Sequence, residues 1–178
     1  MGHIVKRAIV ILPKFDGLNR IDQLRRQFDP LASRIAPHIT LVFPFESDLS
    51  ADRLRAHIGQ AVQGVAPFPV HLQGITGHGG EYLFLNVVRG NDPLIDLHDS
   101  LYSGPIAAHL RPEIPYHPHV TVGRLADRTE FSKALAVARE AAASFQTVVR
   151  EIATVRIESD GEIWEEFRVS LGSREAGP

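Results

Sequence analysis

Cysteine is absent from this sequence of 178 residues, and so is any long hydrophobic run. The absence of cysteine excludes disulfide bonds, a thiol nucleophile and a metal held by cysteine. The apolar run Ala8–Leu12 is too short for the core of a signal peptide, and no segment approaches the roughly 18 apolar residues of a membrane-spanning helix. We therefore expect a cytoplasmic protein with no membrane partner.

An excess of basic residues is also missing. The chain has 19 Lys and Arg against 21 Asp and Glu, for a formal net charge of −2 at pH 7. Proteins that bind long nucleic acids are usually basic, so this balance argues against long double-stranded nucleic acid as a partner. A small phosphate ligand stays compatible with it, because a few side chains can hold one phosphate. The hydrophobic fraction of 44% is typical of a globular protein with its own core, and we expect a monomer.

The pattern of apolar residues repeats in the two halves of the chain. In each half it predicts the same order of elements: strand, helix, short strand, helix and strand. One copy precedes a turn at Gly77–Gly80 and the other follows it. The predicted strands cover residues 4–12, 38–43, 68–75, 82–88, 119–123, 145–157 and 163–171. The predicted helices cover residues 17–28, 51–63, 91–109 (with a break at Gly104–Pro105) and 129–143. Two similar α+β halves favour one compact domain, residues 1–178, with lobes of residues 1–77 and 80–178 around a shared cleft.

One short motif, His-x-Thr after a proline, occurs at the same place in each half. The two copies contribute His38 and Thr40, and His119 and Thr121. Residues two apart in a strand project from the same face, so each histidine points the same way as its threonine. Two imidazoles with an ordinary pKa of roughly 6.5 can act as base and acid on opposite sides of a phosphorus. Threonine hydroxyls can donate to its non-bridging oxygens. The paired motifs therefore predict phosphoryl chemistry.

The segments Pro37–Phe43 and Pro118–Arg124 resemble the paired His-x-Thr-x motifs of the 2H phosphoesterase superfamily, in particular its 2′-5′ RNA ligase and cyclic phosphodiesterase-like branch. The resemblance covers nearly the whole chain, because both the motif spacing and the order of elements fit. It implies a two-lobed, pseudo-symmetric α+β fold in which antiparallel sheets line a central groove and helices lie outside. It also implies a metal-independent phosphodiesterase without cofactors, whose substrates are 2′,3′-cyclic phosphates, 2′-5′-linked nucleotides or RNA ends.

Carried onto this chain, the resemblance makes His38 and His119 the acid–base pair and gives phosphate binding to Thr40 and Thr121. It leaves open which histidine is the base. Arg124 stands where the family often has a phosphate-binding arginine, but its odd spacing from His119 places it on the opposite face of an ideal strand. We expect the neighbouring glycine to bend the chain and bring Arg124 round.

Aromatic residues are candidates for stacking on a nucleobase. Tyr116, in the proline-rich loop before the second motif, is the best of them and is predicted to bind substrate. We interpret the strand residues Phe45, Tyr82 and Phe84 as core residues instead, since aromatic side chains in strands usually pack inside.

Three alternatives stay open. The first is 2′-5′ RNA ligase activity, which would use the same four residues. The second is a non-catalytic module that binds a nucleotide or an RNA end. The third is a metallohydrolase in which His117 and His119 bind a metal together with His109 or His38. We expect neither a metal nor another cofactor.

Overall fold

The computed structural model describes residues 3–141 and 143–172. The strands within these ranges are β1 (Val5–Ile11), β2 (Ile39–Ser47), β3 (Phe68–His78), β4 (Tyr82–Arg89), β5 (His119–Arg124), β6 (Phe145–Val149), β7 (Glu151–Ile157) and β8 (Ile163–Ser170). The helices are α1 (Leu18–Phe28), α2 (Ala51–Ala61), α3 (Asn91–Leu101) and α4 (Arg128–Ala141), with a 3₁₀ helix at Gly104–His109. The repeated order of strands and helices that the sequence predicts is confirmed.

The strands form one antiparallel sheet in the order β6-β3-β4-β5-β2-β1-β7-β8. The two central strands, β2 and β5, each begin at a His-x-Thr motif and are joined through one residue pair, Ile39 and Val120. We call the strands on one side of this junction (β2, β1, β7, β8) half-sheet 1 and those on the other side (β5, β4, β3, β6) half-sheet 2. The predicted α+β class and antiparallel pairing are confirmed. The sequence led us to expect separate sheets, and the structure has one continuous sheet with two halves.

The boundary expected between the lobes, at Gly77–Gly80, does not separate the two half-sheets. This turn connects β3 to β4 inside half-sheet 2. Strand β3 comes from the first repeat but lies in half-sheet 2, whereas β7 and β8 come from the second repeat and lie in half-sheet 1. Each repeat therefore ends in a strand that crosses to the other half. Periodicity predicts a strand but not the neighbour with which it pairs.

Three predicted elements have different bounds in the structure. The strand predicted over residues 145–157 is two strands separated at Arg150, and these join opposite halves of the sheet, with Phe145 paired to Leu72 and Ala153 paired to Val10. The long helix ends at Leu101, before the expected break. Strand β2 continues through Pro44, a residue that lies at a register irregularity and does not end the strand.

The helices cover one face of the sheet and enclose the main core. Fully buried residues of the central strands, such as Ile39 and Val120, belong to the same cluster as Ile21 of α1, Leu54 of α2 and Leu94 of α3. Burial of each such side chain contributes roughly 1.5–3 kcal/mol. Helix α1 of the first repeat packs on β5, and α3 of the second packs on β2, so the helices also cross between halves. The face of the sheet opposite the helices is called the motif face below.

A second, smaller apolar cluster lies on the motif face of half-sheet 1. It consists of Ala8, Val10, Ala153 and Val155, and Ile35 from the loop before β2 packs against it. Since Val10 pairs with Thr40, this cluster occupies the same face as the first motif. Half-sheet 1 thus carries buried apolar residues on both faces.

Candidate active site

The two motifs meet at the junction between the half-sheets. Ile39 and Val120 pair directly, and an antiparallel register through this pair places Thr40 next to His119 and His38 next to Thr121. The four polar side chains are half-buried, while Ile39 and Val120 between them are fully buried on the helix side. The structure therefore brings the four residues of the predicted acid–base and phosphate-binding set to one place on the motif face.

Each motif contains a β-bulge immediately after its threonine. In half-sheet 1, Thr40 pairs with Val10 but Val42 pairs with Ile9, so Leu41 is the extra residue. The same shift occurs after Thr121 in half-sheet 2. Two consecutive buried residues follow each threonine as a result. The bulges are a feature that alternation along an ideal strand does not show.

The bulge in β5 brings Arg124 to the motif face. Strand β4 presents Tyr82 and Phe84 on this face, and they pair with Arg124 and Thr121 respectively. Directly paired residues point the same way, so Arg124 and Thr121 share a face although their separation in sequence is odd. Arg124 therefore lies on the motif face, as expected, and it reaches this face because of the register shift beside Gly123.

Arg124 is exposed and already oriented. Its Nε lies 2.8 Å from Oε1 of Glu81, with which it forms an ion pair, and its guanidinium lies 5.3 Å from the ring centre of Tyr82. A guanidinium held in this way on the motif face can bind a phosphate oxygen by exchanging or sharing its carboxylate partner.

Both motif histidines are oriented by the same hydrogen bond. The Nδ1 atom of His38 lies 2.9 Å from the carbonyl oxygen of Ala36, and that of His119 lies 2.6 Å from the carbonyl oxygen of His117. A carbonyl oxygen only accepts, so Nδ1 carries the hydrogen and Nε2 of the neutral ring has a free lone pair. In each case the carbonyl belongs to the residue before the motif's proline. Each Nε2 is therefore the atom available for proton transfer.

Burial favours the neutral form of both imidazoles. It lowers the pKa of His38, and it lowers the pKa of His119 to about 4. The hydrogen bond to the His117 carbonyl opposes this effect at His119, and the positive charges of His38, His78 and His117 add to it. Burial alone therefore leaves both rings uncharged at neutral pH. A bound phosphate supplies negative charge beside them and raises both pKa values.

Two aromatic residues interpreted from the sequence as core lie instead on the motif face. Phe84 stacks on the imidazole of His119 with 3.6 Å between ring centres, and Tyr82 lies under Arg124. Phe45 is buried, as predicted. The prediction for Tyr82 and Phe84 was wrong because half-sheet 2 packs against the core through one face only. These two aromatic residues of β4 lie on its opposite face.

Tyr116 has structural partners. Its hydroxyl donates to the carbonyl oxygen of Thr40 at 2.9 Å, and its ring stacks on His98 with 3.8 Å between centres. His98 in turn bonds the carbonyl oxygen of Leu41, and Tyr102 accepts from the N–H of Phe43. These side chains form hydrogen bonds with backbone groups of β2 where this strand separates from β5. One face of the Tyr116 ring is consequently occupied, and its predicted contact with a base stays a prediction.

The described ranges, 3–141 and 143–172, contain no cluster of three or more His, Cys, Asp or Glu side chains arranged to hold a metal ion. The His109 ring, a candidate ligand in the metal alternative, lies 5.1 Å from the ring of Phe45. Among the described helices none is both long and apolar enough to cross a bilayer.

Two repeats that share one antiparallel sheet, with a histidine and a threonine from each at the junction, define the architecture of a 2H phosphoesterase. Comparison with known proteins agrees, since residues 13–161 match the model of the 2′-5′ RNA ligase superfamily. The chain belongs to this superfamily of phosphoesterases.

Individual proteins resemble this chain in sequence or in fold. A protein of Geobacillus kaustophilus named "Putative phosphoesterase" is 31% identical over 125 residues, which are 67% of this chain and 69% of that protein. The crystal structure of E. coli LigT complexed with 3′-AMP superposes with a TM-score of 0.65 at 17% identity, over 96% of this chain and 100% of LigT. LigT complexed with phosphate gives a TM-score of 0.60 at 16% identity, over 96% of this chain and 99% of LigT.

Proposed function

We propose that the protein is a metal-independent phosphodiesterase that acts on 2′,3′-cyclic phosphate or on 2′-5′-linked nucleotides and RNA ends. The observation that carries the proposal is the matched orientation of His38 and His119. Each ring is anchored through Nδ1 to a main-chain carbonyl, which leaves Nε2 for proton transfer, and the strand register places each histidine next to the threonine of the other motif. We further propose that it works as a cytoplasmic monomer.

The geometry supports general acid–base catalysis of phosphodiester hydrolysis. One neutral imidazole removes a proton from water through Nε2, and the water oxygen bonds to phosphorus. The other histidine, in its charged form, gives its proton to the departing ribose oxygen as the P–O bond breaks. The hydroxyls of Thr40 and Thr121 and the guanidinium of Arg124 donate to the non-bridging oxygens.

The lowered pKa values of the two histidines add a requirement to this mechanism. Burial keeps both imidazoles neutral at neutral pH, yet the reaction needs one of them charged. The enzyme therefore takes up a proton as the anionic substrate binds. The mutual repulsion of His38 and His119 favours one proton shared by the pair over two.

We place the nucleoside of the substrate over half-sheet 2. The motif face of half-sheet 1 is occupied, since Ile35 packs on its apolar cluster and Arg34 donates to the carbonyl oxygen of Asp160 at 3.1 Å. On half-sheet 2 the corresponding face carries the half-buried Tyr82 and Phe84 and the exposed Arg124. The complexes of E. coli LigT with 3′-AMP and with phosphate support a nucleotide phosphate as the ligand of this fold.

Product analysis tests the proposal. A panel of 2′,3′-cyclic mononucleotides, 2′-5′ dinucleotides and cyclic-phosphate-ended RNA is incubated with the wild type after exhaustive chelation, and with His38→Ala and His119→Ala. We expect turnover that survives chelation and falls by about 10²–10⁴ in each variant. His3→Ala, at an exposed histidine, serves as the control for the substitution.

Other results select the alternatives. Near-wild-type turnover in either motif variant contradicts the two-histidine mechanism, and loss of turnover on chelation favours the metallohydrolase. Binding without turnover of any substrate favours the non-catalytic module. Joining of RNA ends, measured in the same assay with 2′,3′-cyclic phosphate and 5′-hydroxyl ends supplied together, separates ligase from hydrolase.

A further inference from the structure

The imidazole of His119 lies against an aromatic ring. The centres of the His119 and Phe84 rings are 3.6 Å apart and their planes are inclined by 25°. His78 lies beside Phe84 as well, 5.3 Å away between centres and inclined by 21°. Phe84 pairs with Thr121 in the sheet, so its place beside the second motif is set by strand register and does not depend on a loop.

The first motif has a different neighbour at the same place. Thr40 pairs with Val10, as Thr121 pairs with Phe84, so Val10 is the structural counterpart of Phe84. Among the described residues no aromatic ring is found stacked on His38. The two histidines therefore share the Nδ1 hydrogen bond, but only His119 has an aromatic contact on its face.

These two contacts at His119 have complementary effects. The hydrogen bond to the His117 carbonyl fixes the direction of Nδ1 within the ring plane, and the Phe84 ring restricts rotation of that plane. The face of a benzene ring also carries partial negative charge, which attracts a cation within about 6 Å of its centre. The imidazolium form of His119 is attracted more strongly than the neutral ring.

We propose that Phe84 is a positioning residue for the reaction, which holds the His119 ring with Nε2 toward the phosphorus and stabilises the charged form of that ring. The proposal rests on the proposed function for its catalytic consequence. It assigns a specific role to the aromatic contact and makes the two histidines unequal.

Phe84→Leu tests it, because leucine keeps an apolar side chain and removes the π face. We expect kcat to fall roughly tenfold or more, and by more than KM rises, since Thr40, Thr121 and Arg124 still hold the phosphate. In enzyme saturated with inorganic phosphate, the pKa of His119 measured by NMR should fall by about half a unit to one unit. Phe84→Tyr, which keeps the ring, should restore both quantities.

Phe15→Leu is the matched control. Phe15 contacts Phe145 at 5.1 Å between centres, is half-buried like Phe84 and packs against the main core. It reports the general effect of exchanging a phenylalanine for leucine on folding, measured as the melting temperature of each variant.

Three results overturn the proposal: activity in Phe84→Leu equal to that in Phe15→Leu, a lower kcat with an unchanged pKa of His119, or a rise in that pKa. A rise would mean that Phe84 acts by excluding water alone. Activity in His119→Ala would contradict the proposed function instead, and the NMR titration of Phe84→Leu would still decide whether the ring favours the charged imidazole.

Discussion

The two half-sheets share a plan but present different surfaces to a ligand. Both carry a His-x-Thr motif, a bulge after the threonine and a histidine bonded to the carbonyl two residues before it. On half-sheet 1 the strand beside the motif presents alanine and valine under a loop, whereas on half-sheet 2 it presents Tyr82 and Phe84. The catalytic parts are thus duplicated, and the parts that can recognise a substrate occur on one side.

The difference explains how a symmetric site can act on an asymmetric molecule. A phosphodiester has a leaving group and an attacking group on opposite sides of phosphorus, and the histidines of the two motifs serve one group each. The nucleoside lies to one side only, so only one half-sheet needs an open surface. The other half-sheet buries an apolar cluster on this face and gains stability from it.

The largest effect on kcat in this comparison is expected when the threonines of the two motifs are replaced one at a time. Thr40→Val and Thr121→Val each remove one hydroxyl donor and keep the side-chain shape. We expect each to lower kcat by roughly 10²–10³, as loss of one oxyanion donor does in other enzymes. Steady-state kinetics measure it, with Thr129→Val, at an exposed threonine near the start of α4, as control. A large effect in only one variant would show that the halves are catalytically unequal.

Arg124 supplies the next effect, because it has no counterpart in the first half. The corresponding residue of the first motif is Phe43, so at this position only the second motif carries a positive charge. We expect Arg124→Ala to raise KM by about 10–100-fold, the loss of a charged hydrogen bond of about 1.5–3 kcal/mol. Arg124→Lys should recover part of the affinity, since it keeps the charge but not the planar fork. The control is Arg53→Ala, at an exposed arginine of α2, and unchanged KM in Arg124→Ala would remove Arg124 from the site.

A smaller effect is expected where the loop before β2 is fixed over half-sheet 1. Gly161 has a φ of 83°, and the guanidinium of Arg34 occupies the space that a side chain there would need. Gly161→Ala should therefore displace Arg34 and lower the free energy of unfolding by about 1–3 kcal/mol. Gly64→Ala is matched to it, with a φ of 79° and no atom within 4 Å of the added carbon. Denaturant unfolding compares them, and equal losses would mean that Arg34 does not hold the loop.

The sequence alone predicts the parts of this site that depend on local spacing. Alternation places His38 with Thr40 and His119 with Thr121, and the repeat predicts that the two pairs correspond. It does not predict that β3 and β7 cross between the halves, because pairing partners are set by packing over long distances. Arg124 shows the limit most clearly: its side of the strand depends on a bulge relative to β4, which no residue of β5 specifies alone.

A last effect concerns the pH dependence of stability. Burial lowers the pKa of His119 to about 4, while the unfolded chain has the ordinary value of roughly 6.5. Between these values the unfolded state binds a proton that the folded state does not, so stability is complete above pH 6.5 and falls as the pH is lowered toward 4. His38 acts with the same sign, since its pKa is also lowered.

We therefore expect His119→Gln and His38→Gln each to flatten the fall in unfolding free energy between neutral and acidic pH. Urea unfolding at a series of pH values measures this, with His3→Gln as an exposed control. Added phosphate should oppose the acid loss in the wild type, because the bound anion charges the imidazoles that burial keeps neutral. An equally steep curve in His119→Gln would show that its imidazole is not held neutral by the fold. His119 would then not be the residue that takes up a proton when the substrate binds.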